Sequence, residues 1–423
     1  MKFLYFLSRC YRGEVTGFRL PMLSSNDETA DGSFEDILFQ GKKDSSRAVS
    51  FQFRLIPEEK DRRYLEAWVS GAEEFSAKEL IYSISFSCHT PQKRIYLSAL
   101  SIQAGETVIY QEQCSAGQEY SASSTLWSST EENGVLPYLY TVQNTFFIEA
   151  MDRPFYPDSL SAEKHQNLYG PAQRFVLQYL QGAVQIVNGI LREFAGNIEY
   201  LAPVRVSPRR SMLLSAEQEL AVGAGGENTY HRLFAIETAG DGQAADKINE
   251  WLSLFGYHYK WNLVKPNYGE FLLRDLRSGY EVNIVDAGFG ISQILPVIVA
   301  ACENHSGLLA IDSPEAHLHD KMQGEIADLL IQTVRHRPVI LETHSESILL
   351  RVQRRSLESG TPEEESAVIY FIRDEEDTSV CEKITFDRQG EFQGASEEFR
   401  EFFAGDFYDA MKIEELKGLR MNV

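Results

Sequence analysis

Residues 282–346 decide the fold: VNIVDAGFGISQILPVIVAACENH (282–305) runs into SGLLAIDSPEAHLHDKMQGEIADLLIQTVRHRPVILETHSE (306–346). The first piece reads as a glycine turn that opens a helix. GLLAIDSPEAH is an apolar strand ending in acids, and DKMQGEIADLLIQTVR is a helix with Met322, Ile326, Leu329, Leu330 and Val334 on one face. RPVILETHSES is a second apolar strand, ending in Thr343 and His344. Two continuous apolar runs joined by one amphipathic helix describe a βαβ crossover, whose strands are parallel and buried on both faces. Ligands bind beyond the carboxyl ends of such strands, where Asp312, Glu315 and His344 stand. AVIYFIRD (367–374) and CEKITFD (381–387), split by the acidic turn EEDTS, read as a hairpin that closes the same sheet.

The residue types at that sheet mouth suit phosphate chemistry. A buried strand ending in Asp312 can hold the magnesium that bridges two phosphates. Three residues on, Glu315 can orient or deprotonate an attacking water. A neutral imidazole at His344 can sense a terminal phosphate or fix that water. The helix after the glycine turn carries unpaired amides at its start, and Gly288 and Gly290 let a phosphate approach the backbone closely. Each feature alone also fits an ordinary polar turn; their order in one βαβ unit favours nucleotide.

Working outward, AVSFQFRLI, ELIYSISFSCH and KRIYLSALSI, between Ala48 and Tyr140, alternate apolar and polar residues, which predicts a half-buried antiparallel sheet. The stretch 151–170 carries two prolines and several turn formers, and a boundary is placed there. PAQRFVLQYLQGAVQIVNGILREF then takes helical spacing, with Phe175, Leu177, Leu180, Val184, Val187 and Ile190 in one apolar stripe. YLAPVRVSPRRSMLL is a proline-rich loop whose Arg205, Arg209 and Arg210 either pair with the chain's carboxylates or meet an anion or an interface. VGAGGEN has glycines but no lysine, a weak phosphate loop. The expected division is a β-rich lobe over 1–150, a helical segment and linker over 151–205, and an α/β lobe over 206–423.

Composition narrows the partners. The chain has 423 residues, enough for a real core, with 43% hydrophobic and 24% charged residues. Its net charge of −22 repels a polyphosphate backbone, so nucleic acid is not the default partner of the chain alone. Cys10, Cys88, Cys114, Cys302 and Cys381 are odd in number and include no CxxC pair, which fits free thiols in a reducing cytoplasm. No apolar run reaches the roughly 18–20 residues of a membrane helix. MKFLYFLSRCYRGEV is interrupted by Ser8 and Arg9 and is not read as a signal peptide.

With these residues in view, the chain resembles ABC-type ATPases of the SMC and RecF kind. GFGISQ is similar to a degenerate signature motif, LLAIDSPEAHLH to a Walker B with its D-loop, and ILETHSE to a switch-histidine loop. The nearest likeness is to a bacterial family of AAA-class ATP-binding proteins with an uncharacterised C-terminal domain, related to the overcoming-lysogenization-defect ATPases. Members carry phrases much like GSFEDILF, YLAPVRVSPRR, VDAGFGISQILP, SPEAHLH and ETHSE in this order. The likeness runs from about Gly32 to the end and is most specific from Asp286 to Glu346. It implies an α/β, ABC-ATPase-like head, with a mixed sheet of parallel core strands flanked by helices, beside the N-terminal antiparallel region. It also implies ATP and magnesium as cofactors, with Asp312 the magnesium-associated acid and His344 the switch histidine. Gly288, Gly290, Ser292 and Gln293 would be the signature that reaches a partner's terminal phosphate.

Two departures matter. In ABC enzymes the catalytic glutamate directly follows the magnesium aspartate; here that place is Ser313, and Glu315 is the candidate base. A P-loop needs GxxxxGK followed by Ser or Thr. The near miss at Gly41 and Lys42 fails, with Asp36 in place of the first glycine and Lys43 in place of the hydroxyl. The resemblance therefore implies a P-loop that comes from a separate ATPase chain or from a missing N-terminal segment, and a partner that is either a P-loop-bearing ATPase chain or a second copy. An effector nuclease beside the ATPase, DNA contacted through the complex, and a role in antiphage defence or DNA maintenance are further implications. A scaffold subunit that keeps the head fold without hydrolysis is the competing expectation. His317 and His319 read as D-loop residues rather than a metal pair, and the tail after Glu346 is short for an independent nuclease module.

Overall fold

The computed structural model describes residues 48–67, 75–89, 94–114, 120–125, 139–141, 148–150, 171–214, 221–303, 305–359, 367–375, 378–387 and 389–403. The chain divides into two compact units, Lys2–Ile198 and Glu199–Val423. The N-terminal 15 residues, the Gly41–Lys42 near miss and the 151–170 boundary lie outside the described residues.

In the first unit, strands β1 (Ala48–Leu55), β2 (Leu80–His89), β3 (Arg94–Ala104), β4 (Thr107–Cys114) and β5 (Tyr120–Ser123) form one sheet in that order, with helix α1 (Glu59–Ala67) between the first two. All four neighbouring pairs are antiparallel. The period-two pattern explains this: Tyr82, Ile84 and Phe86 of β2 face inward together while the residues between them are more exposed. A short ladder pairs β6 (Leu139–Thr141) with β7 (Ile148–Ala150). Helix α2 (Pro171–Gly196) buries Leu180, Val184 and Val187, the stripe its spacing predicts; the side chains of Phe175 and Leu177 lie outside the described residues.

The second unit begins with β8 (Ile198–Leu201), β9 (Met212–Leu213), α3 (Thr229–Ala239) and α4 (Gly242–Leu254). Asp241 starts α4 by accepting the Ala244 amide at 3.1 Å, while Gly240 ends α3 in the left-handed region. Strands β10 (Tyr257–Lys265), β11 (Tyr268–Asp275) and β12 (Glu281–Asn283) make an antiparallel sheet, with β9 also on β11. Helix α5 (Phe289–Cys302) follows, then β13 (Leu308–Asp312), α6 (Asp320–Val334), β14 (Val339–Glu342) and α7 (Glu346–Ser359). Every residue from Ile291 to Cys302 is buried, as befits a helix apolar on all sides. Around α5 gather Leu309 and Ile311 of β13, Leu329 and Leu330 of α6, Leu233, Leu252, Phe271 and Leu273. Each such side chain contributes about 1.5–3 kcal/mol by leaving water.

The βαβ reading holds in direction: β13 and β14 pair in parallel, Asp312 opposite Glu342. Three expectations are corrected. The sheet has the order β14–β13–β8, so β13 is buried throughout while β14 lies at an edge and leaves Ile340 45% exposed. The C-terminal hairpin, β15 (Ile369–Glu375) with β16 (Thr378–Phe386), does not close that sheet. It joins β17 (Phe392–Gln393) over its own core of Ile384, Phe386, Phe392 and Phe399. Alternation lets a hairpin bury one face on phenylalanines from its own flank, so it needs no seat in the larger sheet. Val334, placed by spacing on the apolar face of α6, is exposed at the end of that helix. No helix among the described residues is long and apolar enough to cross a membrane.

The end of α5 carries a titratable contact. Buried Glu303 accepts from Arg232 at 2.6 Å through one oxygen, and its other oxygen lies 3.1 Å from His305 Nε2. The Glu303 contact, only partly opposed by burial, raises the His305 pKa above its ordinary 6.5. A folded-state pKa above the unfolded one contributes stability that is complete below 6.5 and is lost as pH rises through the raised value. His305→Gln is therefore expected to flatten the pH dependence of the thermal midpoint between about pH 5.5 and about pH 8. Parallel melting curves for the two proteins across that range would refute the assignment.

Candidate functional site

The site is the carboxyl end of β13 and the turn after it. Asp312 closes the buried strand at 7% exposure. Its Oδ1 accepts the Ser313 hydroxyl at 3.0 Å, and its Oδ2 the more distant Tyr200 hydroxyl at 3.5 Å. Ser313 stands in the left-handed region at φ 47°, as does His317 at φ 66°. For a residue with a side chain that conformation costs roughly 1–2 kcal/mol, so the surroundings must hold it. One support is the Ser313 amide, which donates to Glu342 O at 2.8 Å and ties the turn to the neighbouring strand.

The same turn brings Glu315 to the histidine loop. The His344 backbone N–H donates to Glu315 Oε1 at 2.8 Å, and Glu315 Oε2 is buried without a hydrogen-bond partner. A buried unpaired acceptor costs about 1–3 kcal/mol, a state that persists where a ligand or water uses the atom. The His344 side chain is exposed. Below it, Ser345 donates through its hydroxyl to Gln323 Oε1 and accepts the Ile348 amide, while Gln323 Nε2 donates to Leu318 O at 2.9 Å. Turn, α6 and the start of α7 thus share one hydrogen-bonded frame. Asp312, Glu315 and His344 are brought together, as the strand order predicts.

The glycine turn lies beside this frame. Gly288 caps α5 at φ 96°, which only a residue without Cβ adopts freely. A Cβ on Gly290 would stand 2.8 Å from His317 O, so its absence permits the close approach of α5 to the turn. Phe289 meets the His317 ring edge-on at 4.6 Å between centroids. Gly288 and Phe289 are exposed. Ser292 and Gln293 are not: Ser292 donates to Phe289 O at 2.7 Å, and Gln293, 1% exposed, accepts from Arg205 N at 3.0 Å and donates to Arg205 O at 3.1 Å. Both side chains point into the domain rather than to the surface where the resemblance would put a signature. Proximity in sequence cannot reveal this, because the helix that carries them is buried on every side.

The three arginines part company. Arg210 forms a two-pronged pair with Asp286, 2.8 Å at each prong, and Arg209 is exposed. Arg205 is 2% exposed and turns inward, NH2 donating to Asp312 O at 2.9 Å and NH1 to Ser313 O at 3.2 Å. Burial lowers its pKa to about 10, still charged at neutral pH, against the opposing pull of Asp312 and Glu315. Its spacing in YLAPVRVSPRR gave no sign of that direction. In the VGAGGEN loop the Gly225 amide donates to Glu227 Oε2 at 2.8 Å, so a carboxylate of the chain already meets that amide.

Among the described residues no group of three or more His, Cys, Asp or Glu is placed to hold a metal unaided. Magnesium is usually held by one or two carboxylates together with substrate phosphates and water. The hard oxygens of Asp312 fit that pattern, and the unpartnered Glu315 Oε2 stays available to a water.

Residues 227–349 match the family model of an AAA ATPase domain, a span that contains Asp312, Glu315 and His344. No curated protein matches the chain. Among solved structures it is similar to an Smc head bound to the C-winged helix domain of ScpA, at 12% identity over 92% of this chain and 86% of that one, TM-score 0.40. An SMC ATPase structure described for ATP-driven dimerization and DNA stimulated activation is 13% identical, over 39% of this chain and 91% of that one, TM-score 0.28. The Pyrococcus furiosus Smc head with an extended coiled coil, bound to the C-terminal domain of ScpA, is 12% identical, over 59% and 48%, TM-score 0.28.

Proposed function

We propose that the chain is an ATP-binding subunit of an SMC/RecF-like complex, contributing its acid-ended strand and glycine turn to a composite nucleotide site. The observation that carries the reading is that the turn bearing Asp312 and Glu315 meets the loop of His344 at the sheet mouth, inside the span similar to an AAA ATPase domain. Asp312 would hold magnesium, which when bound would supply positive charge to offset that of the phosphates. Glu315 orients the attacking water and accepts its proton at Oε2. The His344 imidazole faces the terminal phosphate, and the Glu315 contact with the His344 amide sets its loop. Gly288 and Gly290 present the start of α5 to a nucleotide held by the partner, with Ser292 and Gln293 bracing them from within.

The P-loop is supplied from outside these 423 residues, by a P-loop-bearing ATPase chain or by a segment that precedes them. The complex is cytoplasmic, acts in antiphage defence or DNA maintenance beside an effector nuclease, and contacts DNA through a partner, given the net charge of −22. One observation favours a second reading, a scaffold without hydrolysis: Ser313 occupies the place directly after the acid, with its hydroxyl spent on Asp312. Phosphate release measured with and without an added P-loop polypeptide separates the two. Turnover appearing only in the mixture supports the composite site; nucleotide binding without turnover in every mixture leaves the scaffold.

A further inference from the structure

We propose that Arg205 is a positioning residue: braced by Gln293, its guanidinium fixes the carbonyls of Asp312 and Ser313 and so sets where the Asp312 and Glu315 carboxylates stand. The inference rests on the reading of that turn as nucleotide-facing.

A buried arginine that serves stability alone is normally matched by a carboxylate in hydrogen-bond contact. The hydrogen bonds of this guanidinium go instead to two successive backbone carbonyls, and its Nε is buried without a partner. The carbonyls flank Ser313, the residue held at φ 47°, so the rigid fork grips the strained peptide from both sides. A lysine, with one ammonium on a flexible stem, cannot span two carbonyls in a fixed plane. The backbone of Arg205 is fixed in turn, because the Gln293 amide pairs with both its N–H and its C=O. Gln293 lies in the second turn of α5, the helix that Gly288 opens. One chain of contacts thus runs from the glycine turn through Gln293 and Arg205 to the acid-bearing turn.

The test uses the full chain with Arg205→Met, Arg205→Lys and Gln293→Leu, and Asp312→Asn as reference. Amide hydrogen exchange is read over residues 312–318 and 342–346, with β11 as an internal control, and ATP turnover is read with the P-loop polypeptide added. Arg205→Met is expected to speed exchange in the two segments about tenfold while β11 stays unchanged, the scale of a lost buried charged contact. In turnover it lowers kcat about 100-fold with KM for ATP within about twofold, the mark of misplaced groups rather than lost binding. Arg205→Lys and Gln293→Leu give the same local pattern at smaller size, and they decide the matter if Arg205→Met does not fold. Exchange that rises uniformly across the unit, or not at all, overturns the proposal, as does wild-type kcat in Arg205→Lys. If Asp312→Asn turns over ATP like the parent while exchange rises locally, the nucleotide reading falls and the clamp stands. Loss of turnover in Asp312→Asn with unchanged exchange in Arg205→Met sinks the positioning role alone.

Discussion

Replacing Asp312 with alanine is expected to lower ATP turnover by the complex about 1,000-fold, the equivalent of the several kcal/mol a magnesium-holding acid contributes to charge stabilisation. The residue closes a strand whose five positions are all buried, so its place is set by the packing of Leu309 and Ile311 together with the Arg205 hydrogen bond to its carbonyl. Its carboxylate accepts hydrogen bonds from the Ser313 and Tyr200 hydroxyls, both uncharged donors. Asp312→Asn keeps the shape and removes the charge, and the same loss is expected from it. Phosphate release under excess ATP with the P-loop chain present measures the effect, and circular dichroism checks the fold. Turnover within about tenfold of the parent would mean that the metal is held elsewhere and that the strand end is an ordinary polar turn.

The second large effect concerns stability. Arg337, its side chain 1% exposed, donates to Glu199 Oε2 at 3.0 Å, to Gly307 O at 2.8 Å and to Ala300 O at 3.2 Å. The other Glu199 oxygen accepts the Val222 amide at 3.3 Å. One guanidinium thus ties β8 and the approach to β13 to the end of α5, while its partner carboxylate holds the residue before the glycine loop. Arg337→Met leaves a buried carboxylate without its cation and is expected to cost about 3–5 kcal/mol in chemical denaturation. Adding Glu199→Met to that variant should recover most of the loss, because two apolar side chains replace a pair whose desolvation offsets much of its attraction. A single-variant loss under about 1 kcal/mol would class the pair with exposed ion pairs.

Much of the second unit was legible in its letters. Apolar runs bounded by Gly307, Asp312, Pro338 and Glu342 give both parallel strands, and the four apolar residues Leu308–Ile311 mark β13 as buried, whereas the edge position of β14 is not written in its three. The antiparallel pairing of β1 to β4 follows from alternation in the same way. The seat of the C-terminal hairpin was not legible. Its pattern states that one face is buried but not against what, and Phe392 and Phe399, beyond the hairpin, decided that.

The sequence by itself determined the order of strand, acid turn, helix and histidine loop, and with it the nearness of Asp312, Glu315 and His344, because short-range periodicity and a right-handed crossover leave little choice of arrangement. Only the tertiary structure decided which way the remaining polar side chains turn. Gln293 and Arg205 are 88 positions apart, and their mutual grip depends on a loop laid across a buried helix. Periodicity cannot encode such a contact, since it reports which face of an element is apolar and not which distant carbonyl a buried guanidinium will find.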